Sequence, residues 1–165
     1  MMAVSTEKIL CIEDDSETAA LIAEDLQERG YAVTLALDGH AGLKAALRIA
    51  PALVLCDISM PEMTGFEVLE RLTALAPQFD AMPFVFLTAL PDRDTELKGR
   101  RLGADDFVTK PIDFEILATI IEARLGRVAR NEVWSREIEL NERRWKPLPS
   151  PPAARLPPKL PPSWD

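Results

Sequence analysis

The sequence predicts an α/β fold in which helices cover both faces of a parallel five-stranded sheet. Three observations predict this fold: five short apolar runs recur along the chain, helical patterns separate them, and the connections between them are short. Three of the runs are nearly continuous in apolar residues, which is typical of strands buried on both faces. Right-handed crossovers then place helices on each side, giving a doubly wound (βα)5 sheet.

Taken in order, the five strands are predicted at residues 9–12, 33–37, 52–56, 84–87 and 107–108. The first helix shows an apolar stripe at i, i+3 and i+7, formed by Ala19, Ile22 and Leu26. Leu43 and Leu47 repeat the helical spacing in the second helix. The third helix is expected to open at Thr64-Gly-Phe-Glu67, which fits a capping box.

The fourth helix, at about residues 94–102, is predicted to be weak. Gly99 lies in its middle, at a cost of about 1 kcal/mol relative to Ala. Three cations, at Lys98, Arg100 and Arg101, also crowd one another. A marginal helix of this kind is a candidate moving part.

The fifth helix is expected to start near Asp113 and to bury a stripe formed by Ile116, Ile120, Ile121, Leu125 and Val128. Beyond Val128 the apolar phase shifts. Residues 126–146 are therefore predicted to be either an extension of this helix or a separate amphipathic helix, and the shift favours a break or bend near residues 129–132. Residues 147–165 are rich in proline and are predicted to be a disordered tail.

Composition limits the possible functions of the chain. Of its 165 residues, 47% are hydrophobic and 28% are charged, as in a globular protein. Residues 1–125 carry 22 acidic and 11 basic side chains, which argues against direct nucleic-acid binding. We expect a cytoplasmic protein without membrane insertion, because no apolar run or leader pattern suits a membrane or export. Cys11 and Cys56 are predicted to be reduced core thiols.

Acidic side chains follow two of the predicted strands. Asp57 ends the third strand and is followed by a turn containing Pro61 and Gly65, while Glu13 and Asp14 follow the first strand. If those strands are neighbours, the three carboxylates share one crevice at the carboxyl edge of the sheet, where ligands of such folds bind. Carboxylates this close repel one another unless a dication binds. Mg²⁺ suits one or two carboxylates with open water positions.

The fourth and fifth strands end in other polar groups. Thr88 is followed by the small Ala89, and Lys110 is followed by Pro111. A metal, a carboxylate nucleophile, a hydroxyl and a cation are the groups needed to stabilise a transferring phosphoryl group. The sequence therefore predicts phosphoryl chemistry at this edge.

These segments together resemble the receiver domain of two-component response regulators. The matching segments are Ile9-Leu-Cys-Ile-Glu-Asp-Asp15, Leu53-Val-Leu-Cys-Asp-Ile-Ser-Met-Pro-Glu-Met-Thr-Gly65, Phe86-Leu-Thr-Ala89 and Gly103-Ala-Asp-Asp-Phe-Val-Thr-Lys-Pro111. The resemblance implies a flavodoxin-like sheet of strand order 2-1-3-4-5. It places the receiver domain at residues 7–125.

The resemblance also implies roles for the site residues. Asp57 would be the phospho-acceptor and a metal ligand. Asp14 would bind the Mg²⁺ directly, Glu13 would hold a metal-bound water, and Ser59 would contribute its backbone carbonyl to the metal. Thr88, Ala89 and Lys110 would contact the phosphoryl group, the Lys110–Pro111 peptide would be cis, and Thr88 would act with Phe107 as a switch. The apolar Leu90, two residues after Thr88, predicts slow hydrolysis of the phosphoryl group.

The partner implied by this resemblance is a sensor histidine kinase, or a histidine phosphotransfer protein if the chain is a phosphorelay intermediate. No output domain is expected in the 40 residues after Leu125. Signalling is instead predicted to use a downstream protein partner or a self-dimer, through the fourth and fifth helices and residues 126–146. Trp134, Trp145 and Trp164 favour such a docking role.

Two alternative functions are compatible with part of the pattern. One is an unphosphorylated scaffold that keeps the fold without the switch, which the intact acidic site argues against. The other is a haloacid-dehalogenase-like phosphohydrolase, which also uses an Asp nucleophile and Mg²⁺. That family requires a second Asp two residues after the nucleophile, where this chain has Ser59. We therefore expect a phospho-accepting signalling protein and not an enzyme.

Overall fold

The computed structural model describes residues 6–75, 77–79, 81–89 and 91–144, and for residues 78, 127–135 and 141–144 it describes the backbone only. Strands and helices alternate along the chain, as predicted. In chain order they are β1 (Lys8–Ile12), α1 (Ser16–Glu28), β2 (Ala32–Ala36), α2 (Gly39–Ile49), β3 (Leu53–Asp57), α3 (Gly65–Leu75), a 3₁₀ turn (Pro77–Phe79), β4 (Phe84–Thr88), α4 (Arg93–Leu102), β5 (Asp106–Thr109) and α5 (Phe114–Arg144).

The five strands form one parallel sheet of order β2-β1-β3-β4-β5, which confirms the predicted fold class and strand order. The strands pair in register, with Ile12 opposite Cys56, Asp57 opposite Leu87 and Thr88 opposite Thr109. Because parallel strands in register end together, the residues that follow β1, β3, β4 and β5 meet at the same edge of the sheet.

Two apolar clusters, one on each face of the sheet, form the core. One joins the sheet to α2 and α3 through side chains that include Leu43, Ala46, Phe66 and Leu69. The other joins it to α1 and α5 through Ile22, Leu26, Leu117 and Ile121. β1, β3 and β4 contribute to both clusters because successive side chains of a strand point to opposite faces. This two-sided burial explains why their sequences are apolar nearly throughout.

The helix starts follow the expected capping chemistry. The side chain of Asp15 accepts a hydrogen bond from the backbone N–H of Glu17, and that of Asp38 accepts one from Ala41. At α3, Thr64 Oγ1 accepts from the Glu67 N–H at 3.3 Å, which is the N-cap half of the predicted Thr64–Glu67 box. These caps fix where each helix leaves the loop that precedes it.

The predicted break in the fifth helix is wrong, since α5 continues without interruption from Phe114 to Arg144. Residues 127–144 contain neither proline nor glycine, so nothing in the backbone chemistry stops the helix there. A shift in apolar phase requires a bend only where a helix packs along its whole length. In the second half of α5 all the side chains described, residues 136–140, are exposed.

The predicted buried stripe of α5 also needs correction. Ile116 is 54% exposed, and its neighbour Leu117 is fully buried in its place. The sequence offers two adjacent apolar stripes here, and the rotation of the helix selects the one containing Leu117 and Ile121. Residues 126–144 extend α5, whereas the predicted Pro-rich tail, Trp145 and Trp164 lie outside the described residues. In the part of the chain that the structure describes, no helix is long and apolar enough to cross a membrane.

Candidate functional site

Three carboxylates lie together at the carboxyl edge of the sheet. Glu13 and Asp14 directly follow β1, and Asp57 is the last residue of β3. Each offers an oxygen within 4.8 Å of the other two. Glu13 is fully buried, Asp57 is 5% exposed and Asp14 is exposed. The structure therefore brings together the acidic residues that the sequence predicted, with one of them open to solvent.

Lys110 closes this acidic cluster from the side of β5. Its Nζ lies 2.9 Å from Glu13 Oε2, 3.1 Å from Glu13 Oε1 and 3.4 Å from Asp57 Oδ2. Burial lowers the pKa of Lys110, but the hydrogen bond to Glu13 and the charges of Asp57 and Glu13 outweigh burial, and the pKa is raised overall. The ammonium therefore stays charged at neutral pH and offsets part of the repulsion between the carboxylates.

Asp57 is the most strongly perturbed acid of the site. Its pKa is raised from 3.8 to about 7, first by burial, then by the charge of Glu13 and by a hydrogen bond with Asp14, while Lys110 acts in the opposite direction. A carboxylate in this setting is poorly solvated and gains from any cation that reaches it. The same poor solvation favours its reaction with an electrophile.

The donor set fits a hard dication such as Mg²⁺. Glu13 Oε2 is buried and accepts no hydrogen bond from the described residues, because its 2.9 Å contact with Lys110 Nζ is an ion pair without hydrogen-bond alignment. One ammonium faces three carboxylates, so the cluster keeps an excess of negative charge. Oxygen donors with a solvent-facing side are the arrangement that Mg²⁺ uses, since it retains several waters.

The remaining predicted contacts lie on the loops around this cluster. Thr88 is the last residue of β4, is 5% exposed, and accepts a hydrogen bond from the Lys110 N–H at its carbonyl at 2.8 Å. Ala89 and Ser59 are both exposed at the loops that follow β4 and β3. Leu90, to which the slow hydrolysis was assigned, lies outside the described residues. Thr88, Ala89 and Ser59 are thus at the edge of the sheet where the acidic cluster lies.

Two residues singled out by the sequence, Phe107 and Pro111, lie in β5 and in the loop that follows it. The Lys110–Pro111 peptide bond is cis. Phe107, which is half-buried, lies opposite Phe86 in the register of β4 and β5, with ring centroids 5.7 Å apart. The ring therefore packs in an aromatic group with Phe86 of the neighbouring strand.

Gly65 positions the acceptor loop, a role that the sequence analysis missed. A Cβ added at this residue would collide with the backbone carbonyl oxygen of Asp57. The Gly65 N–H also donates to the carbonyl of Ile58 at 2.9 Å. α3 can therefore start against the end of β3 only if residue 65 has no side chain. The glycine at the end of the Pro61–Gly65 turn was the available signal.

The two cysteines lie in the strands that carry the acids, and both are free and buried. Burial, with the nearby charge of Glu13, raises the pKa of Cys11 to about 12. Burial also raises the pKa of Cys56, beside the charge of Asp57. Thiols in this state are weak nucleophiles, in agreement with the predicted core role.

Comparison with known proteins identifies the family. The family model of the response regulator receiver domain matches residues 9–122. This chain belongs to that family. A solved receiver domain protein from Methanospirillum hungatei, described as CheY-like, superposes with a TM-score of 0.72 at 27% identity, covering 77% of this chain and 99% of that one. The residues matched by the family model, 9–122, run from β1 into α5 and include Glu13, Asp14 and Asp57.

Curated relatives of the receiver are longer proteins. The transcriptional regulatory protein RprY of Bacteroides fragilis is 40% identical over 121 residues, or 73% of this chain and 50% of that protein. The DNA-binding dual master transcriptional regulator RpaA of a Synechocystis strain is 36% identical over 123 residues, or 74% of this chain and 51% of that protein. The chain thus spans about half the length of these relatives.

Proposed function

We propose that this receiver is a phospho-switch in which Asp57 accepts a phosphoryl group from a phosphohistidine of a sensor kinase. The observation that carries the proposal is the buried Asp57 carboxylate, with Lys110 Nζ 3.4 Å away and two further carboxylates within 4.8 Å. A purely structural aspartate at a strand end would not be expected to have two acidic neighbours. Clustered acids of this kind are costly without a function that uses them.

The chemistry is a phosphoryl transfer between a nitrogen and an oxygen. A carboxylate oxygen of Asp57 bonds to phosphorus as the bond from phosphorus to the histidine nitrogen breaks, and the imidazole leaves with the bonding electron pair. Lys110 would stabilise the charge on the phosphoryl oxygens, and the hydroxyl of Thr88 would donate a hydrogen bond to them. The product is an acyl phosphate, which water later hydrolyses.

The Mg²⁺ would be bound by Asp14, Asp57 and the carbonyl of Ser59, and Glu13 would hold a metal-bound water. When bound, the ion would neutralise charge on the carboxylates and on the incoming phosphoryl group. The exposed Asp14 keeps the cluster open to solvent, which suits a metal that retains water ligands.

The test is phosphorylation by acetyl phosphate, followed by intact mass spectrometry. The wild-type protein is expected to gain one phosphoryl mass with Mg²⁺ and none in EDTA, and Asp57→Asn is expected to gain none. Asp38→Asn is the matched control, because Asp38 is an exposed helix cap whose amide analogue still caps α2. An adduct that persists in Asp57→Asn would show that the acceptor is another residue.

The kinase is proposed to dock beside Lys110 on an apolar groove between α1 and the start of α5. The groove is lined by Thr18, Leu21, Lys110, Pro111, Ile112 and Phe114. Leu21 is 55% exposed, and the acidic residues Glu24, Asp25 and Glu28 line the adjoining surface. This surface fits a partner that offers an apolar side chain flanked by basic residues. A histidine phosphotransfer protein would use the same groove if the chain is a phosphorelay intermediate.

Leu21→Ala tests the docking groove separately from the chemistry. Phosphoryl transfer from a phosphorylated kinase domain is expected to slow about tenfold, whereas phosphorylation by acetyl phosphate is unchanged, because only the protein donor needs the groove. Leu47→Ala, on α2, is the matched control at a leucine of similar exposure. Equal slowing with both donors would place Leu21 in the fold of the site and not in docking.

The output is proposed to pass through α4, α5 and residues 126–146, to a downstream protein or a second copy of the chain. In support, α5 extends to Arg144, and Ile138 and Leu140 on it are 51% and 60% exposed. We further propose that residues 7–125 fold independently as the receiver. A chain ending at residue 125 should then keep phosphorylation at Asp57 and lose self-association or partner binding. Sedimentation of both chains with and without beryllofluoride would show this, and identical masses would reduce the extension to a linker.

The phosphohydrolase alternative has little support. Ser59 occupies the position at which that chemistry needs a carboxylic acid, and the matched family is the receiver. Release of inorganic phosphate from a range of phosphate esters should stay at the background rate of the Asp57→Asn variant.

A further inference from the structure

The start of α2 packs against both segments that carry the acids of the site. Gly39 is the first residue of this helix and Gly42 follows three residues later, so both lie on the same face, and both are buried. Gly39 lies against Met63, in the loop that connects β3 to α3. Gly42 lies against Ile12, the last residue of β1, which directly precedes Glu13. The first turn of α2 therefore contacts both acidic segments.

Neither glycine leaves room for a side chain. A Cβ added at Gly39 would lie 2.8 Å from Met63 Sδ, 2.9 Å from its Cβ and 3.0 Å from its Cγ. A Cβ added at Gly42 would lie 2.8 Å from Ile12 Cγ1 and 3.1 Å from its Cγ2. Ile12 is fully buried and Met63 is 2% exposed, so close-packed core surrounds both side chains and neither has free space to move into. The helix thus comes closer to both segments than a residue with a side chain would allow.

The loop that contains Met63 is closed by its own hydrogen bonds. The Gly65 N–H donates to the carbonyl of Ile58 at 2.9 Å and joins the two ends of the loop. Within the loop, the Met63 N–H donates to the carbonyl of Pro61 at 2.8 Å. Ser59, whose carbonyl is assigned to the metal, lies inside this closed segment. A loop held in this way shifts as a unit, so the contact of Met63 with α2 also fixes the position of Ser59.

We infer that Gly39 and Gly42 are positioning residues, which set the distance between the loop after β3 and the end of β1 and thereby the affinity of the site for Mg²⁺. Gly42 holds α2 against β1, and Gly39 holds the loop against α2. Mg²⁺ requires near-ideal octahedral geometry with ligands at about 2.0–2.1 Å, so a small shift of Ser59 relative to Asp14 weakens its binding. The inference rests on the proposed function in taking Mg²⁺ as the ligand of the site.

Titrations of the full chain with Mg²⁺, followed by ¹H–¹⁵N NMR, test this inference. Gly39→Ala should weaken Mg²⁺ binding about tenfold, an effect typical of groups that orient metal ligands. The Cβ of Met63 is among the atoms that the new methyl group meets, so rotating that side chain cannot relieve the contact and the loop itself has to move. Gly42→Ala should weaken binding at least about threefold, because overpacking against Ile12 lifts α2 and the loop with it.

Further variants separate positioning from a general loss of stability. Leu72→Ala truncates another buried side chain of the same apolar cluster, about two turns along α3 from the loop, and should change the Mg²⁺ affinity less than about twofold. Met63→Ala removes the Sδ and Cγ that contact Gly39 and should weaken binding about tenfold, whereas the volume-conserving Met63→Leu should bind within about twofold of wild type. Equal weakening by Leu72→Ala and Gly39→Ala would overturn the inference. If Gly39→Ala does not fold, the Met63 variants decide, and equal affinities of Met63→Ala and Met63→Leu overturn it.

A measurement without metal separates this inference from the proposed function. In EDTA, the amide resonances of residues 58–65 should shift in Gly39→Ala relative to wild type, because the loop moves even when no ion is bound. In Leu72→Ala the resonances of residues 58–63 should coincide with those of wild type. If the wild type binds no Mg²⁺, the proposed function fails, while the shifts in EDTA still decide whether α2 positions the loop. Unchanged resonances of residues 58–65 in Gly39→Ala would overturn the inference.

Discussion

Replacing the acceptor carboxylate with its neutral amide should stabilise the metal-free protein. In the native state, burial and the charge of Glu13 raise the pKa of Asp57 to about 7, whereas an unfolded chain titrates it near 3.8. At a pH above 7 the native protein therefore holds an unfavourable charge that the unfolded chain solvates freely. Asp57→Asn removes that charge and keeps the shape of the side chain.

The magnitude follows from the shift. A difference of about 3 pKa units corresponds to about 4 kcal/mol at 1.36 kcal/mol per unit, which is an upper limit. Asp57 interacts with the other charged groups of the cluster, so part of its pKa shift belongs to the cluster as a whole. We expect Asp57→Asn to gain about 1–3 kcal/mol in free energy of unfolding at pH 8.

The pH dependence has a definite sign. Between about pH 4 and 7 the native state binds more protons at Asp57 than the unfolded state, so wild-type stability falls as pH rises through this window. Asparagine does not titrate. The advantage of the variant should therefore be small near pH 4, grow through the window and level off above pH 7.

Urea unfolding followed by far-ultraviolet circular dichroism, in EDTA at several pH values, measures this difference. Added Mg²⁺ should reduce the difference in free energy of unfolding between variant and wild type, because the ion stabilises the wild type by mass action and binds the variant more weakly. Asp38→Asn should change the free energy of unfolding at pH 8 by less than about 0.5 kcal/mol. The reasoning would be refuted if Asp57→Asn were no more stable than wild type at pH 8, or if its stability advantage at pH 4 were as large as at pH 8.

Three further predictions concern the site and the backbone. Lys110→Ala should lower the free energy of unfolding in EDTA by about 2–4 kcal/mol, because it leaves the buried Glu13 without its cation. The variant should still bind Mg²⁺ in an NMR titration, and loss of metal binding would contradict the role assigned to Lys110. Ala50 is the C-cap of α2 and has a φ of +47°, so Ala50→Gly should raise the free energy of unfolding by about 0.5–1 kcal/mol. Ala20→Gly, at an exposed position within α1, should lower it by about 1 kcal/mol. Cys11, whose pKa is about 12, should react with a disulfide reagent at pH 8 only as fast as the protein unfolds, and faster labelling would show local opening of β1.

The sheet and the acidic cluster could be predicted because their residue types have few alternatives. A carboxylate at the end of a run of buried apolar residues has no place in a core. Parallel pairing then brings Glu13, Asp14 and Asp57 to one edge whatever the details of the loops. Strand ends were less certain: Leu37 was predicted inside the second strand, which ends at Ala36, and Leu37 is 51% exposed. The end of an edge strand depends on the loop that follows it.

The errors in α5 have a different origin. Periodicity describes an apolar face but not the neighbour that the face needs. Ile116 and Leu117 each continue an apolar stripe, and only the rotation of the helix against the sheet decides that Leu117 is buried. The expected break near residue 130 assumed packing along the whole helix. Residues 136–140 are exposed, so a change of phase there has no structural consequence.

Gly99 shows how a local cost can serve a tertiary contact. By propensity it weakens α4 by about 1 kcal/mol, and from the sequence it appeared only as a defect. In the fold the Phe107 ring occupies the space that a Cβ at residue 99 would need, Lys98 Nζ lies over the Phe66 ring, and the Arg100 guanidinium lies over the Phe107 ring. Substituting alanine would improve the isolated helix but would bring its Cβ within 2.5 Å of Phe107 Cζ. The weakness of α4 as an isolated helix and its close packing against Phe107 therefore have the same cause, which is the absence of a side chain at residue 99.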